Sequence, residues 1–204
     1  MRILLPDALQ KTLGKGFPEA EFAASTPIGS FSRKALDLFL DLADWSDRVL
    51  LAGDFGKNSE TAVLLDSFIE KYTGQLTLTG DSLDYLAQKP ASIVERKNTL
   101  LVGNLGQIQK LAQPKAVVKQ TADLVQILEV LSNWTVESSA KVITSAASQI
   151  IVASRGDIST THSQNNEVGP ELAAYASVWW LQQPESAFEA LTTAVYCFIN
   201  PSKG

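Results

Sequence analysis

The residues best suited to chemistry stand in "NNEVGPELAAYASVWWLQQP" (165–184), where Val168-Gly169-Pro170-Glu171 leads into an apolar run. Free N–H groups at the start of a helix bind anions, and a carboxylate beside them is a candidate general base. Glu171 is that carboxylate. Pro170 suits the first helical turn, where its missing N–H is not needed, but it brings no donor to an anion. The helix dipole favours Glu171 at this place with or without a catalytic duty. A second set is "AGDFGK" (52–57), in which Gly53 and Gly56 flank Asp54-Phe55 ahead of Lys57. A tight strand-to-helix turn explains that glycine pair, and a phosphate-binding turn uses the same features. Asp81 and Asn104 each follow a strand-like run, where such residues cap a helix or hydrogen-bond a ligand.

Other reactive residues assemble into nothing. His162 is the only histidine and lies in the polar loop "STTHSQNNE", away from any metal-binding or Ser-His-Asp pattern. Cys197 is the only cysteine, so no internal disulfide forms. Arg155-Gly156-Asp157 reads as a turn after a strand.

These candidates need elements to position them, and the hydrophobic pattern supplies an alternating series. "RVLLAG" (48–53), "QLTLTG" (75–80) and "NTLLVG" (98–103) have the apolar density of buried strands. "NSETAVLLDSFIEKY" places Leu65, Phe68, Ile69 and Tyr72 on one helical face, with Asn58 or Ser59 as cap. "SFSRKALDLFLDLA" does the same with Leu36, Phe39, Leu40 and Ala43. "TADLVQILEVL" does so with Leu124, Ile127, Leu128 and Leu131, with Thr121 as cap. "KVITS" and "QIIVAS" read as paired strands joined by Ala146-Ala147-Ser148. Two helices close the chain, the second opening on a Ser186–Glu189 capping box. Asp81 is expected to cap the short turn "SLDYLA". Alternation of this kind predicts an α/β fold, three-layered, with a mainly parallel sheet and helices on both faces. Ligands in such folds bind beyond the carboxyl ends of the strands. The candidate loops therefore follow residues 52, 79, 102 and 145, and the helix start at 170 joins them.

At 204 residues the chain is long enough for one substantial core, and it reads as a single domain over 1–204. Its formal charge of -5 and scattered Lys and Arg leave no basic stripe for nucleic acid. No apolar run is long enough to span a bilayer, and the start "MRILLPDALQK" does not read as a signal peptide, so the expectation is a cytoplasmic protein without a membrane partner. Trp179 and Trp180 with Tyr175 cannot all face one core from one helix. An exposed aromatic among them suits an oligomer interface.

In order, these loops resemble those of the ribokinase-like ADP-dependent NAD(P)H-hydrate dehydratases, a carbohydrate-kinase-related family, from about residue 30 to 200. "ADWSDRVLLAGDFGKNSETAVLLDSFIEKYTGQLTLTGDSLDYLA" is similar to the family's middle, where a strand ends in a glycine-proline-glycine-leucine-glycine loop. "NTLLVGNLGQIQKLA" falls on its threonine-proline-histidine-proline-glycine-glutamate turn. "VITSAASQIIVA" falls on its lysine-glycine-alanine hairpin, and "VGPELAAYASVWWLQQ" on its glycine-threonine-glycine-aspartate helix. The family's opening glycine-rich strand-loop-helix has no counterpart here. The resemblance implies a ribokinase-like fold and, in a working member, ADP or ATP with Mg²⁺ and an NAD(P)H-like ligand. Glu171 would then be the base, with Gly53, Asp54, Gly56, Lys57, Asp81, Asn104 and Gly169 around nucleotide or substrate. It also implies a homo-oligomer.

The chain departs from that pattern where phosphate is held. Pro170 removes a donor, Val168 adds bulk, and Glu171 stands for the aspartate with one more methylene. Asn104 replaces the histidine, Gln107 the glutamate and Ser145 the hairpin lysine. The expectation is a degenerate, non-catalytic relative that binds nucleotide weakly or serves a structural or interaction role. The alternative is an active dehydratase or small-molecule kinase.

Overall fold

The structure, a computed structural model, describes residues 1–113, 118–119, 121–165 and 168–201. They form two compact units, Met1–Asp47 with Asp54–Gly74, and Arg48–Gly53 with Gln75–Gly204.

The first unit holds strands β1 (Ile3–Pro6) and β2 (Ala20–Ala23) and helices α1 (Gln10–Leu13), α2 (Leu36–Trp45) and α3 (Ser59–Lys71). β1 and β2 pair in parallel, Ile3 opposite Ala20 through Pro6 opposite Ala23. Neither strand was expected from the sequence. The core of this unit is aromatic. Phe39 meets Phe31 edge-on at 5.0 Å and Phe68 at 5.6 Å, and Tyr72 stacks on Phe68 at 5.3 Å. Such pairs add about 0.5–1.5 kcal/mol each beyond their burial. The expected face of α3 is the buried one: Leu65, Phe68, Ile69 and Tyr72 are all in the core. Asn58 caps this helix, its side-chain oxygen accepting from Glu60 N at 2.7 Å.

The second unit is built on a six-stranded sheet in the order β3 (Arg48–Leu51), β4 (Gln75–Thr79), β5 (Thr99–Val102), β6 (Lys141–Ala146), β7 (Gln149–Ser154) and β8 (Asp157–His162). The first four are parallel, and β7 and β8 are added antiparallel. Its helices are α4 (Asp81–Leu86), α5 (Ala91–Val94), α6 (Leu105–Ala112), α7 (Leu124–Glu137), α8 (Pro170–Gln182) and α9 (Ala187–Ile199). On one face Leu100, Val102, Ile143, Ile150 and Val152 pack against Leu172, Ala176 and Trp180 of α8 and Leu191 and Val195 of α9. The alternate residues Leu101, Val142, Ile151 and Ala153 point the other way, toward α4, α6 and α7. This is the expected α/β arrangement, with a mostly parallel sheet between layers of helices.

Two-residue turns make both hairpins. Ala147 and Ser148 sit at φ 47 and 59, and Arg155 and Gly156 at φ 52 and 90. Consecutive left-handed residues match the twist of paired strands. The turn at Arg155-Gly156 is as expected, but its consequence was not. It folds the chain back into β8, so His162 ends a strand instead of sitting in a loop, with its Nδ1 3.4 Å from Gln149 Nε2. Asn166 and Glu167 of the expected loop lie outside the described residues.

Three expected caps are corrected. α7 is capped by Asp123, in a capping box with Gln126, and not by Thr121, which lies two residues too early. Ser186 precedes α9 but makes no side-chain cap bond, because its backbone (φ -110, ψ 51) is not extended. Asp81 is the first residue of α4, and Gly80 occupies the cap. Trp180 is buried and Trp179 half-buried, while Tyr175 is the aromatic left exposed on α8.

Candidate functional site

At the carboxyl ends of β3, β4 and β5 the chain turns each time at a glycine. Gly53 (φ 101) and Gly80 (φ 63) hold conformations that L side chains rarely adopt. A Cβ on Gly80 would lie 3.6 Å from Gly53 O, so these two turns touch through their backbones. A Cβ on Gly103 would lie 2.5 Å from Leu83 Cδ1 and 2.9 Å from Gln107 Oε1, so a larger residue there would have to displace both side chains.

Two side chains that sequence reasoning did not place in this role fasten the turns together. Ser82 Oγ accepts from Thr79 N at 3.1 Å and has two carbonyls within reach of its one proton, Thr79 O at 2.9 Å and Leu51 O at 3.2 Å, at the ends of β4 and β3. Gln107 donates to Gly80 O at 3.2 Å and to Asp84 Oδ2 at 2.8 Å, while its side-chain oxygen accepts from Asn104 N at 3.3 Å. A visible signal existed for the second: an Asn-x-x-Gln spacing is a capping box. Asn104 accordingly caps α6, its Oδ1 accepting from Gln107 N at 3.0 Å.

The turn at the head of α8 comes to the same end of the sheet. Trp180, near the close of α8, lies against Lys141 at the amino end of β6, with Nζ 4.5 Å from the ring centre. The helix therefore starts at the carboxyl ends. Gly169 is the cap at φ -147 and ψ -167, with no side-chain cap bond, and Pro170 is the first helical residue. Ala173 N already donates to Gly169 O at 3.0 Å. Among the described residues the N–H groups of Gly169, Glu171 and Leu172 have no hydrogen-bond partner, and the position between the first and the other two is proline. Glu171 is exposed, with no hydrogen bond or ion pair among the described residues. A Cβ on Gly169 would meet nothing within 4 Å, so no neighbouring atom of the protein demands a glycine there.

The structure thus brings Gly53, Gly80, Asp81 and Asn104 into one linked set, and sets Gly169 and Glu171 at the same end of the sheet. Asp54, Gly56 and Lys57 belong to the first unit. There Asp54 Oδ1 accepts from Gly56 N at 2.7 Å, an Asx turn, and a Cβ on Gly56 would fall 2.3 Å from Ser30 Oγ.

The second unit's part of the site carries more acid than free base among the described residues. Asp81 and Glu171 are acidic, and the nearby ammonium of Lys110 is held by Asp84 Oδ1 at 2.8 Å. No group of three potential metal ligands occurs among the described residues.

Two solved structures share this architecture. One is a ribokinase-like superfamily protein of Enterococcus faecalis V583, with TM-score 0.68 and 13% identity, covering 98% of this chain and 66% of that one. The fold is ribokinase-like. The other is a hypothetical protein of Streptococcus mutans, with TM-score 0.70 and 15% identity, covering 98% of this chain and 69% of that one. The chain thus spans about two thirds of the length of these two structures. No protein-family model and no curated protein matches the sequence. Among the described residues, no helix of this ribokinase-like fold is long and apolar enough to cross a membrane.

Proposed function

We propose that this chain is a non-catalytic relative of the ADP/ATP-dependent NAD(P)H-hydrate dehydratases, with a structural or interaction role and at most weak nucleotide binding. The observation that carries this reading is the first turn of α8. Pro170 stands where a donor would face a phosphate. A hydrogen bond to a charged group is worth about 1.5–3 kcal/mol, so each lost donor weakens phosphate binding by about tenfold or more. Asn104 and Gln107 support the same reading, because their polar groups serve to cap α6 and to fasten Gly80. A homo-oligomer is part of the proposal, with exposed Tyr175 on α8 as a contact.

A second reading is favoured by one observation. Gly53 and Gly169 leave their backbones unobstructed, and Glu171 is an exposed carboxylate at a helix start. Those are features of a working dehydratase or small-molecule kinase. The experiment is turnover of hydrated NADPH with ADP or ATP and Mg²⁺. We expect none. Turnover that is lost in Glu171→Gln would establish the second reading and end the first.

A further inference from the structure

The six-stranded sheet ends on β8, and that edge is open. Ser163 N donates to Ser148 O, one step past the Gln149–His162 pair, so Thr161, Ser159 and Asp157 bond inward to β7 as well. Ile158, Thr160 and His162 therefore point their N–H and C=O groups outward, where no described residue meets them. Edge strands are commonly guarded by lysine, proline or a bulge. β8 has none of these: it reads Asp-Ile-Ser-Thr-Thr-His, and its register with β7 runs residue for residue.

The helices beside this edge add apolar surface. On one face the hydroxyls of Thr192 in α9 and Ser159 in β8 are 2.8 Å apart, and Tyr196, one turn further on the same flank, is 60% exposed. On the other face Ser132 of α7 donates to Gly156 O at 2.6 Å. Val136, one turn on, and Val125, two turns back, share that side of α7, at 67% and 62% exposure. Among the described residues of the second unit, Tyr175 is the other large apolar side chain this exposed. The apolar surface is thus gathered at one edge.

We propose that β8 pairs with β8 of a second copy of this chain about a twofold axis, joining the two sheets into one. A twofold makes the pairing antiparallel, and outward residues must meet outward residues. Centring on Thr160 sets Thr160 opposite its own copy and Ile158 opposite His162, three pairs that exchange two bonds each, whereas centring on Ser159 or Thr161 allows two such pairs. In the first register Ser159 faces Thr161, hydroxyl against hydroxyl, and no like charges are opposed. α7 and α9 each rest on both β7 and β8, so each stands two strand spacings from its copy, about 10 Å, the distance at which helices pack. A second copy therefore covers both the open edge and the exposed flanks, which a single added strand would leave bare. This deepens the homo-oligomer reading given above, at a surface other than Tyr175, and it holds whether or not the chain is catalytic.

Sedimentation velocity of the full chain, from micromolar to millimolar concentration, should show a reversible monomer–dimer equilibrium. Thr160→Lys sets two ammonium groups face to face, and Thr160→Pro removes an outward N–H while sparing the bonds to β7. Each should raise the dissociation constant by about tenfold or more. Circular dichroism would show that the variant monomers are folded, and if one is not, the other decides. In a Cys197→Ser background, Thr160→Cys should cross-link to its copy on mild oxidation, because residues paired in this way stand about 5.5 Å apart at Cα, within disulfide reach. Tyr175→Glu should leave the dimer intact. A chain that stays monomeric at millimolar concentration, a dimer unmoved by the Thr160 variants, a dimer broken by Tyr175→Glu, or a Thr160→Cys chain that does not cross-link would each overturn the proposal.

Discussion

Replacing Lys141 by methionine should change how stability depends on pH, and the size of the change follows from the structure. Lys141 is almost wholly buried, with its ammonium between the Trp180 ring and Lys97 O. Burial first, and the charge of Arg155 second, lower its pKa from 10.5 to about 8. The folded protein therefore gives up this proton near pH 8, whereas the unfolded chain keeps it until about pH 10.5. Between those values the unfolded state binds more protons, so stability must rise with pH across this window. Each pKa unit corresponds to about 1.4 kcal/mol, which makes the whole rise from this group about 3 kcal/mol. Below pH 8 that quantity is a standing cost of the buried charge. Methionine keeps an apolar stem of similar length and carries no charge, so it escapes the cost. It also loses the carbonyl bond and the contact of a cation with Trp180, about 1–2 kcal/mol together. The variant should be more stable than the parent by about 1–2 kcal/mol at pH 7, with the advantage gone or reversed by pH 10. Urea unfolding followed by tryptophan fluorescence, in phosphate-free buffers from pH 7 to 10, gives both curves. Taking their difference removes other groups that titrate there. If the two curves run parallel across that range, the description of Lys141 as a charge held at a cost is wrong.

Two further outcomes concern the turns at the other end of the sheet. Gly103→Ala should cost about 1–3 kcal/mol in chemical denaturation, because the new methyl group would fall on Leu83 Cδ1 at 2.5 Å. Gly169→Ala, measured in the same way, should cost about 1 kcal/mol or less, the preference for glycine over alanine at a helix cap, since no described atom lies within 4 Å of its Cβ. A large loss there would show a backbone requirement that the structure lacks. Gln107→Ala should cost about 2 kcal/mol, since it breaks the capping box of α6 and the bonds to Gly80 O and Asp84. Thermal unfolding would check it, and a neutral result would mean that the two turns are held by their backbones alone.

The sequence by itself determined the layered fold of the second unit. Dense apolar runs such as "TLLV" are buried on both faces when a sheet lies between layers of helices, and the three- and four-residue spacing in α3 and α7 marks one buried stripe. It also determined that Pro170 opens a helix, because proline's fixed φ and missing N–H are local properties. Other features lay beyond it. Strand β8 is polar, and a left-handed turn at Arg155-Gly156 returns it to β7. Whether Asn104 met a ligand or its own helix depended on where the Gln107 side chain went, which is settled by the neighbouring turn at Gly80. The environment of Lys141 was invisible for the same reason. Its tryptophan is 39 residues away along the chain (180 minus 141) and its carbonyl partner 44, and only packing brings such groups within reach. Local propensities write themselves into short windows of sequence, whereas charges and hydrogen bonds that act at a few ångströms answer to the tertiary fold.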